Sequence, residues 1–261
     1  MTIFKHELRQ GRTGLLIWTA AIAFMLGVCI LIYPEMGSQM EEMSAMFADM
    51  GSFSQAFGMD RINFGAFIGF FGVECGNILG LGGAFFAALL GISSLAKEEK
   101  EHTADFLLSH PISRSKILGE KFLAIVLQIG ILNAAAVGVT ALSVLLIGEE
   151  VSLKTLALLF TAYFLMQLEV ACITFGLSAF LRRGSLGIGL GLAAVFYFLN
   201  IIANLSEDAE FLKYITPFGY TEGADIIADG AVNAGYLGVG IFLAAASVTL
   251  AFRKYHTKDI A

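Results

Sequence analysis

Charge is scarce in this chain of 261 residues: 15% of positions are Asp, Glu, Lys or Arg, against 57% hydrophobic ones. A soluble domain usually carries about 25% charged residues. Together with a mean hydropathy of +0.78, that shortage excludes an ordinary water-soluble domain and indicates an integral membrane protein. Proline is scarcer still, at three positions, so long stretches are free to run on as helix. The three cysteines, Cys29, Cys75 and Cys172, all fall inside apolar runs. They act as small hydrophobes and cannot build an extracellular disulfide framework. The four histidines, His6, His102, His110 and His256, are widely separated and form no H-E-x-x-H pair, which argues against an intramembrane metalloprotease. No G-x-x-x-x-G-K-[ST] phosphate loop occurs, so the chain has no such cradle with which to hydrolyse nucleotide itself.

What is abundant is uninterrupted apolar sequence. Runs long enough for a hydrocarbon layer of roughly 30 Å lie at Leu15–Tyr33, Phe64–Leu95, Phe122–Ile147, Leu153–Leu181, Leu186–Leu205 and Ala234–Phe252. Ala21-Ile22-Ala23 resembles a signal-peptide cleavage site, but apolar sequence continues beyond it, so the first run is expected to be an uncleaved span. Six spans put both termini on one side, and the predicted fold class is an all-α polytopic membrane protein. Of 16 Lys and Arg residues, 13 fall at the amino end, in the loop over residues 97–121, at Arg182-Arg183 and in the tail; only Arg61, Lys154 and Lys213 lie on the other side. The positive-inside rule therefore predicts that both termini and the 97–121 loop are cytoplasmic. The outer loops carry 13 carboxylates, so the net charge of −6 sums an acidic outer face and a basic inner one. No nucleic-acid partner fits that split. On this topology, cysteines placed at residues 45 and 220 should react with an impermeant reagent from outside, and one at residue 105 should not.

The loop KEEKEHTADFLLSHPISRSKILGEK interrupts its charge with an apolar triplet, Phe106, Leu107 and Leu108. A plain linker has no reason to hold such a triplet in water, so the loop is expected to dock on another protein, the triplet filling an apolar cleft. Glu98, Glu99, Glu101 and Asp105 would sit on the rim, where charges guide orientation more than they add affinity. Pro111 is expected to end the helix before it, and Ser113 to cap the next.

This chain resembles the ABC-2-type transporter permeases, whose members have six spans and a signature near EE-x-GT-x-x-x-LLS-x-PISR-x-x-x-x-x-K in the first cytoplasmic loop. Here it reads Glu98-Glu99-Lys100-Glu101-His102-Thr103, then Leu107-Leu108-Ser109-His110-Pro111-Ile112-Ser113-Arg114, then Lys121. His102 replaces a usual glycine and His110 a usual apolar residue. The resemblance extends to Tyr33-Pro34, to Thr216-Pro217-Phe218 with Ala224-Asp225-Ile226-Ile227, and to Lys258-Asp259-Ile260. It implies one permease domain over residues 1–261 with the type V exporter-like fold, in the cell membrane, as a homodimer or a pair with a similar permease. It also implies a separate ATP-binding subunit that carries ATP and Mg and docks through Glu98, Glu99, Glu101, Thr103, Phe106, Leu107, Leu108, Pro111 and Arg114. This chain itself would bind no cofactor. The competing classes are an ATPase-independent channel or secondary transporter, which the lack of an internal repeat disfavours, and a permease for immunity to or sensing of antibiotic peptides.

Three further patterns carry expectations. Residues 1–14 place Met1, Phe4, Leu8 and Leu15 on one face and Lys5, Arg9 and Arg12 on the other, predicting an amphipathic helix along the inner membrane surface that serves as an anchor or transmits motion. The outer loop, residues 34–63, is predicted helical, with Met36, Met40, Met43, Met46 and Met50 at steps of 4, 3, 3 and 4. Such a stripe either captures a soft metal or, as methionine commonly does, packs on lipid or a partner. Gly65, Gly69, Gly72, Gly76 and Gly80 form a small-residue ridge on the second span, suited to close helix packing within or between subunits. Inside the spans, Glu74 and Glu169 each cost several kcal/mol unless paired, protonated or hydrated. With Asn77 and Asn133 they are the expected transport-pathway residues, Glu74 foremost because its span leads into the docking loop. Gln128, Gln167, Asn200 and Asn204 are expected to hydrogen-bond neighbouring helices.

Overall fold

A computed structural model describes residues 2–63, 65–100, 112–181 and 186–257, and all regular structure among them is helical. Six stretches are long and apolar enough to cross a membrane: Thr2–Met36, Phe67–Leu95, Arg114–Ile147, Leu153–Ser178, Leu186–Leu205 and Ala234–Thr257. They coincide with the six runs read from sequence, because in lipid each span must satisfy its own backbone hydrogen bonds and therefore helix follows from apolar length alone. In chain order the elements are α1 (Thr2–Asp49), α2 (Ser52–Ala56), α3 (Phe67–Cys75), a π-helical segment (Gly76–Leu81), α4 (Gly82–Lys100), α5 (Arg114–Ile147) and α6 (Leu153–Ser178). Then come α7 (Leu186–Leu205), a 3-10 helix (Glu207–Tyr214), α8 (Gly223–Asp229) and α9 (Ala234–Thr257).

Helix α6 is central: α4 and α9 pack against it, while α1 packs on α5 and α7 on α4. Its inward face, including Leu159, Tyr163, Met166, Val170 and Phe175, is fully buried. Large hydrophobics such as Phe24, Leu142, Leu145, Leu153 and Phe242 are exposed, which is the surface a bilayer covers. Ser113 caps α5 by accepting from the Lys116 N–H at 3.4 Å, as the sequence predicts. At the far end of α5, Gly148 closes the helix with φ 74° and ψ 20°, a left-handed conformation that glycine adopts without steric cost.

Several boundaries differ from the sequence reading. Residues 2–14 show no break from the first span; they are the start of one continuous α1, whose inward side places Ile3, Phe4, Glu7 and Leu8 toward the bundle. Pro34 lies within α1 and does not end it, since a proline removes one i to i−4 bond and the helix continues on both sides of it. The outer segment is the extension of α1 to Asp49 followed by the short α2, with Met46 and Met50 exposed and Met36 half-buried. Within residues 97–121, α4 runs to Lys100 and α5 starts at Arg114. Lys121 is thus a helical residue, 1% exposed. Glu101, Thr103, Phe106, Leu107, Leu108 and Pro111 lie outside the described residues, as do the side chains of Glu98 and Glu99.

The acidic end of the bundle holds the largest surprise. Residues 216–224 turn back into the helices: Thr216, Phe218, Tyr220, Thr221 and Ala224 are each at most 5% exposed. Thr216 donates to the Phe196 carbonyl at 2.7 Å, anchoring the turn on α7. Tyr220, expected to be reachable from outside, is only 3% exposed. A cysteine there reports packing, and Asp208, which is exposed, is the position that reports sidedness.

Candidate functional site

The second span changes helix type midway. Its π-helical turn, Gly76–Leu81, is wider than α and leaves backbone carbonyls short of partners. Gln167 of α6 donates to the Leu79 carbonyl at 3.1 Å, and Asn133 of α5 donates to Gln167 Oε1 at 2.6 Å and to the Ile129 carbonyl at 2.9 Å. Asn133 therefore belongs to a polar clamp that holds three spans together. The glycine ridge does the same from the other side: side chains at positions 76 and 80 would stand 3.1 and 3.2 Å from the Tyr163 ring system, and Tyr163 donates to the Gly72 carbonyl at 3.4 Å. The ridge is used within the subunit.

The two acids of the spans occupy different surroundings. Glu74, just before the π-turn, is half-buried and meets α1, where the Cys29 thiol donates to its Oε2 at 3.8 Å. Glu169 is 4% exposed, and its Oε2 accepts from the Tyr220 hydroxyl at 2.9 Å. Burial and the adjacent Glu169 carboxylate push the Tyr220 phenol up, so it stays protonated and keeps donating. Glu169 lies along a groove of about 480 Å³ between α6 and α9, otherwise lined by apolar residues such as Leu165, Leu168, Leu237 and Ile241.

A third carboxylate, placed by sequence in an outer loop, is tied into the bundle. Glu222 Oε2 accepts from Asn204 at 2.9 Å and Asn200 at 3.3 Å, both on α7. It lines a cavity of about 50 Å³ with Asn77, Tyr163, Tyr197 and Asn200, where the Tyr197 hydroxyl donates to Asn77 Oδ1 at 3.1 Å. Asn77, expected in the pathway, thus shares a small polar cavity with Glu222. Nearby, Asp225 receives both Arg61 and Lys213, the latter at 3.6 Å, so two of the three basic residues on this side neutralise one acid. The sequence signal for Glu222 was its place after Tyr220-Thr221 in a turn-rich segment; nothing in the spacing shows that the segment re-enters.

The basic end is tied together around the start of α5. Lys121 Nζ donates to Glu7 Oε1 of α1 at 2.8 Å and to the Ser94 carbonyl of α4 at 2.9 Å, and the Phe4 N–H donates to Glu120 at 3.1 Å. Arg114, expected to contact an ATPase, donates through Nη1 to the carbonyls of Tyr255 and His256 at 2.8 and 3.1 Å. It supplies donors and positive charge to the C-terminal end of α9. Ser115 Oγ and His256 Nε2 add a 2.8 Å contact. The start of α5 is therefore bonded to α1, α4 and α9.

A six-span helical bundle with polar clamps between its helices is the build of a multi-pass membrane protein. The chain belongs to the ABC-2 family transporter proteins, whose family model matches residues 1–260. Members are transmembrane subunits of ABC transporters, generally working with an ATP-binding subunit. Comparison with the curated proteins gives no match.

Proposed function

We propose that this chain is the permease subunit of an exporter in the cell membrane, with both termini cytoplasmic, driven by a separate ATP-binding subunit that carries ATP and Mg. It works as a homodimer or with a similar permease, and moves its cargo out of the cell or out of the bilayer. The observation that carries this is the match to the ABC-2 family over nearly the whole chain, joined to the docking sequence that α4 and α5 present. The bonding around Lys121 and Arg114 supports a mechanical role: a shift of the loop against the ATPase pulls on the end of α4 and the start of α5. Through Lys121 and Arg114 that pull reaches α1 and α9.

Replacing Phe106 and Leu107 together with aspartate is expected to abolish co-purification with the ATP-binding subunit and to leave the permease folded, because the bundle contacts among the described residues are made without them. Normal co-purification and normal stimulation of ATP hydrolysis by that variant would sink the docking assignment. Sidedness is checked separately. In intact cells, single cysteines at residues 45 and 208 are expected to react with an impermeant maleimide, and one at residue 105 only after the membrane is opened. The reverse pattern would invert the topology.

A further inference from the structure

The groove between α6 and α9 has an unusual composition for a lipid-facing surface. Ile241, Ala245 and Thr249, on its α9 side, are exposed, and α9 is the least buried of the six spans, with 11% of its most apolar window covered. The groove is thus open sideways, at the level of the middle of α9. Its lining is apolar except for Thr249, Tyr220 and Glu169. Gly240 faces the acid so closely that any side chain there would overlap the Glu169 carboxylate; its Cβ would lie 2.9 Å from Cδ and 3.1 Å from Oε1. Only glycine at this position lets α9 lie this close against the carboxylate, which borders the groove and is itself 4% exposed.

A carboxylate in such a setting persists only with compensation. Tyr220 supplies one hydrogen bond, to Oε2. No lysine or arginine approaches it among the described residues: Lys121 is committed to Glu7 and Ser94, and Arg61 and Lys213 to Asp225 at the far end. A second copy of the chain could not bring a cation to this depth either, since the six spans contain no other Lys or Arg near their centres. A mobile molecule that carries its own positive charge and has an apolar body matched to the groove walls would supply such a partner. The volume, about 480 Å³, falls within the roughly 300–1,000 Å³ range of small-molecule sites.

We propose that the α6–α9 groove is a membrane-accessible binding site for single-chain lipophilic amines, with the ammonium on Glu169 and the alkyl chain along Leu165, Leu168, Leu237 and Ile241. Such a molecule reaches the groove from within the bilayer without passing through water. Tyr220 positions the carboxylate, and Gly240 lets α9 pack beside it. The ammonium donates charge-assisted hydrogen bonds, the stronger kind, in a medium where water does not compete. This names a cargo class for the exporter proposed above and rests on that reading for its transport consequence; the binding itself does not need the ATPase.

The test uses the full-length permease alone, in nanodiscs of phosphatidylcholine, with dodecylamine and its neutral counterpart dodecanol as probes. Wild type is expected to bind dodecylamine about tenfold or more tightly than dodecanol, the scale of one charge-assisted bond. Glu169→Gln, which still accepts from Tyr220, is expected to lose that preference and keep dodecanol binding within about twofold. Gly240→Leu is expected to lose both probes. Equal affinities in wild type, a preference that survives Glu169→Gln, or refusal of both probes by wild type, as when a second copy fills the groove, each overturns the site. Because no ATP-binding subunit is present, failure of the Phe106/Leu107 docking test would remove the transport reading and leave this result standing.

Discussion

Replacing Lys121 with methionine is expected to destabilise the permease by about 3–5 kcal/mol, the usual consequence of breaking a buried ion pair from one side. Its side chain is completely buried, and that of Glu7 is 12% exposed. Removing the ammonium takes from the Glu7 carboxylate its 2.8 Å ion pair and leaves the Ser94 carbonyl without the 2.9 Å bond that Lys121 provides. Methionine keeps most of the volume, so loss of packing is a minor part of the effect. The double variant Glu7→Gln with Lys121→Met is expected to recover most of the loss, because an uncharged pair carries no desolvation penalty. Thermal unfolding in one detergent checks both. The single variant should melt about 10 °C or more below wild type, given the usual few degrees per kcal/mol for a chain of this size. A single variant that melts within about 2 °C of wild type would show that the pair does not hold α1, α4 and α5 together. The same variant should weaken any coupling that passes from the docking segment into α1.

The second large effect is expected from the smallest possible change, Gly91→Ala. Helices α4 and α6 touch backbone to backbone here: a methyl group at position 91 would lie 2.6 Å from the Ala171 carbonyl oxygen and 2.9 Å from the Phe175 nitrogen. Neither atom belongs to a flexible side chain, so the helices themselves must separate, and Ala87, Ala88, Ile92, Ala171 and Phe175, all buried at this contact, lose packing with them. Overpacking a core costs about 1–3 kcal/mol where side chains can adjust; here the cost is expected at or above the top of that range. Gly138, in α5, is the matched control, since nothing lies within 4 Å of the position its methyl would take. Gly138→Ala should leave folding intact or stabilise it by up to about 1 kcal/mol, because alanine is the better helix former. The yield of monodisperse protein and the melting temperature of the two variants make the comparison. Equal behaviour would mean that α4 and α6 are not packed this closely.

Several site residues show why a membrane chain yields its helices more readily than its contacts. Apolar residues face both lipid and protein in such a bundle, so hydrophobic periodicity does not say which side of a span is inward. Phe175 and Phe180 lie within five residues of each other and read alike in sequence, yet one is fully buried and the other 52% exposed. Polar residues carried more information: Gln167, Asn200 and Asn204 do hydrogen-bond neighbouring elements, as their cost in hydrocarbon requires, whereas Gln128 donates to the Ala124 carbonyl of its own helix. The surroundings of the two acids were not legible. Glu74 stood out by its place on the second span, and only the structure shows Glu169 beside a phenol, a close glycine and a groove.

What the sequence by itself determined is the class, the six spans, the charge asymmetry of the two faces, the Ser113 cap and the membership of the family, because each follows from local composition, length or motif. Tertiary structure alone decided that residues 216–224 fold back among the helices, that Lys121 and Arg114 bind within the bundle, and that Glu222 and Asn77 share a cavity. Those facts depend on which helix faces which. A partner 51 residues away, as Tyr220 is from Glu169, leaves no periodic trace in either segment, and the bond exists only once α6, α9 and the re-entrant turn have closed around it.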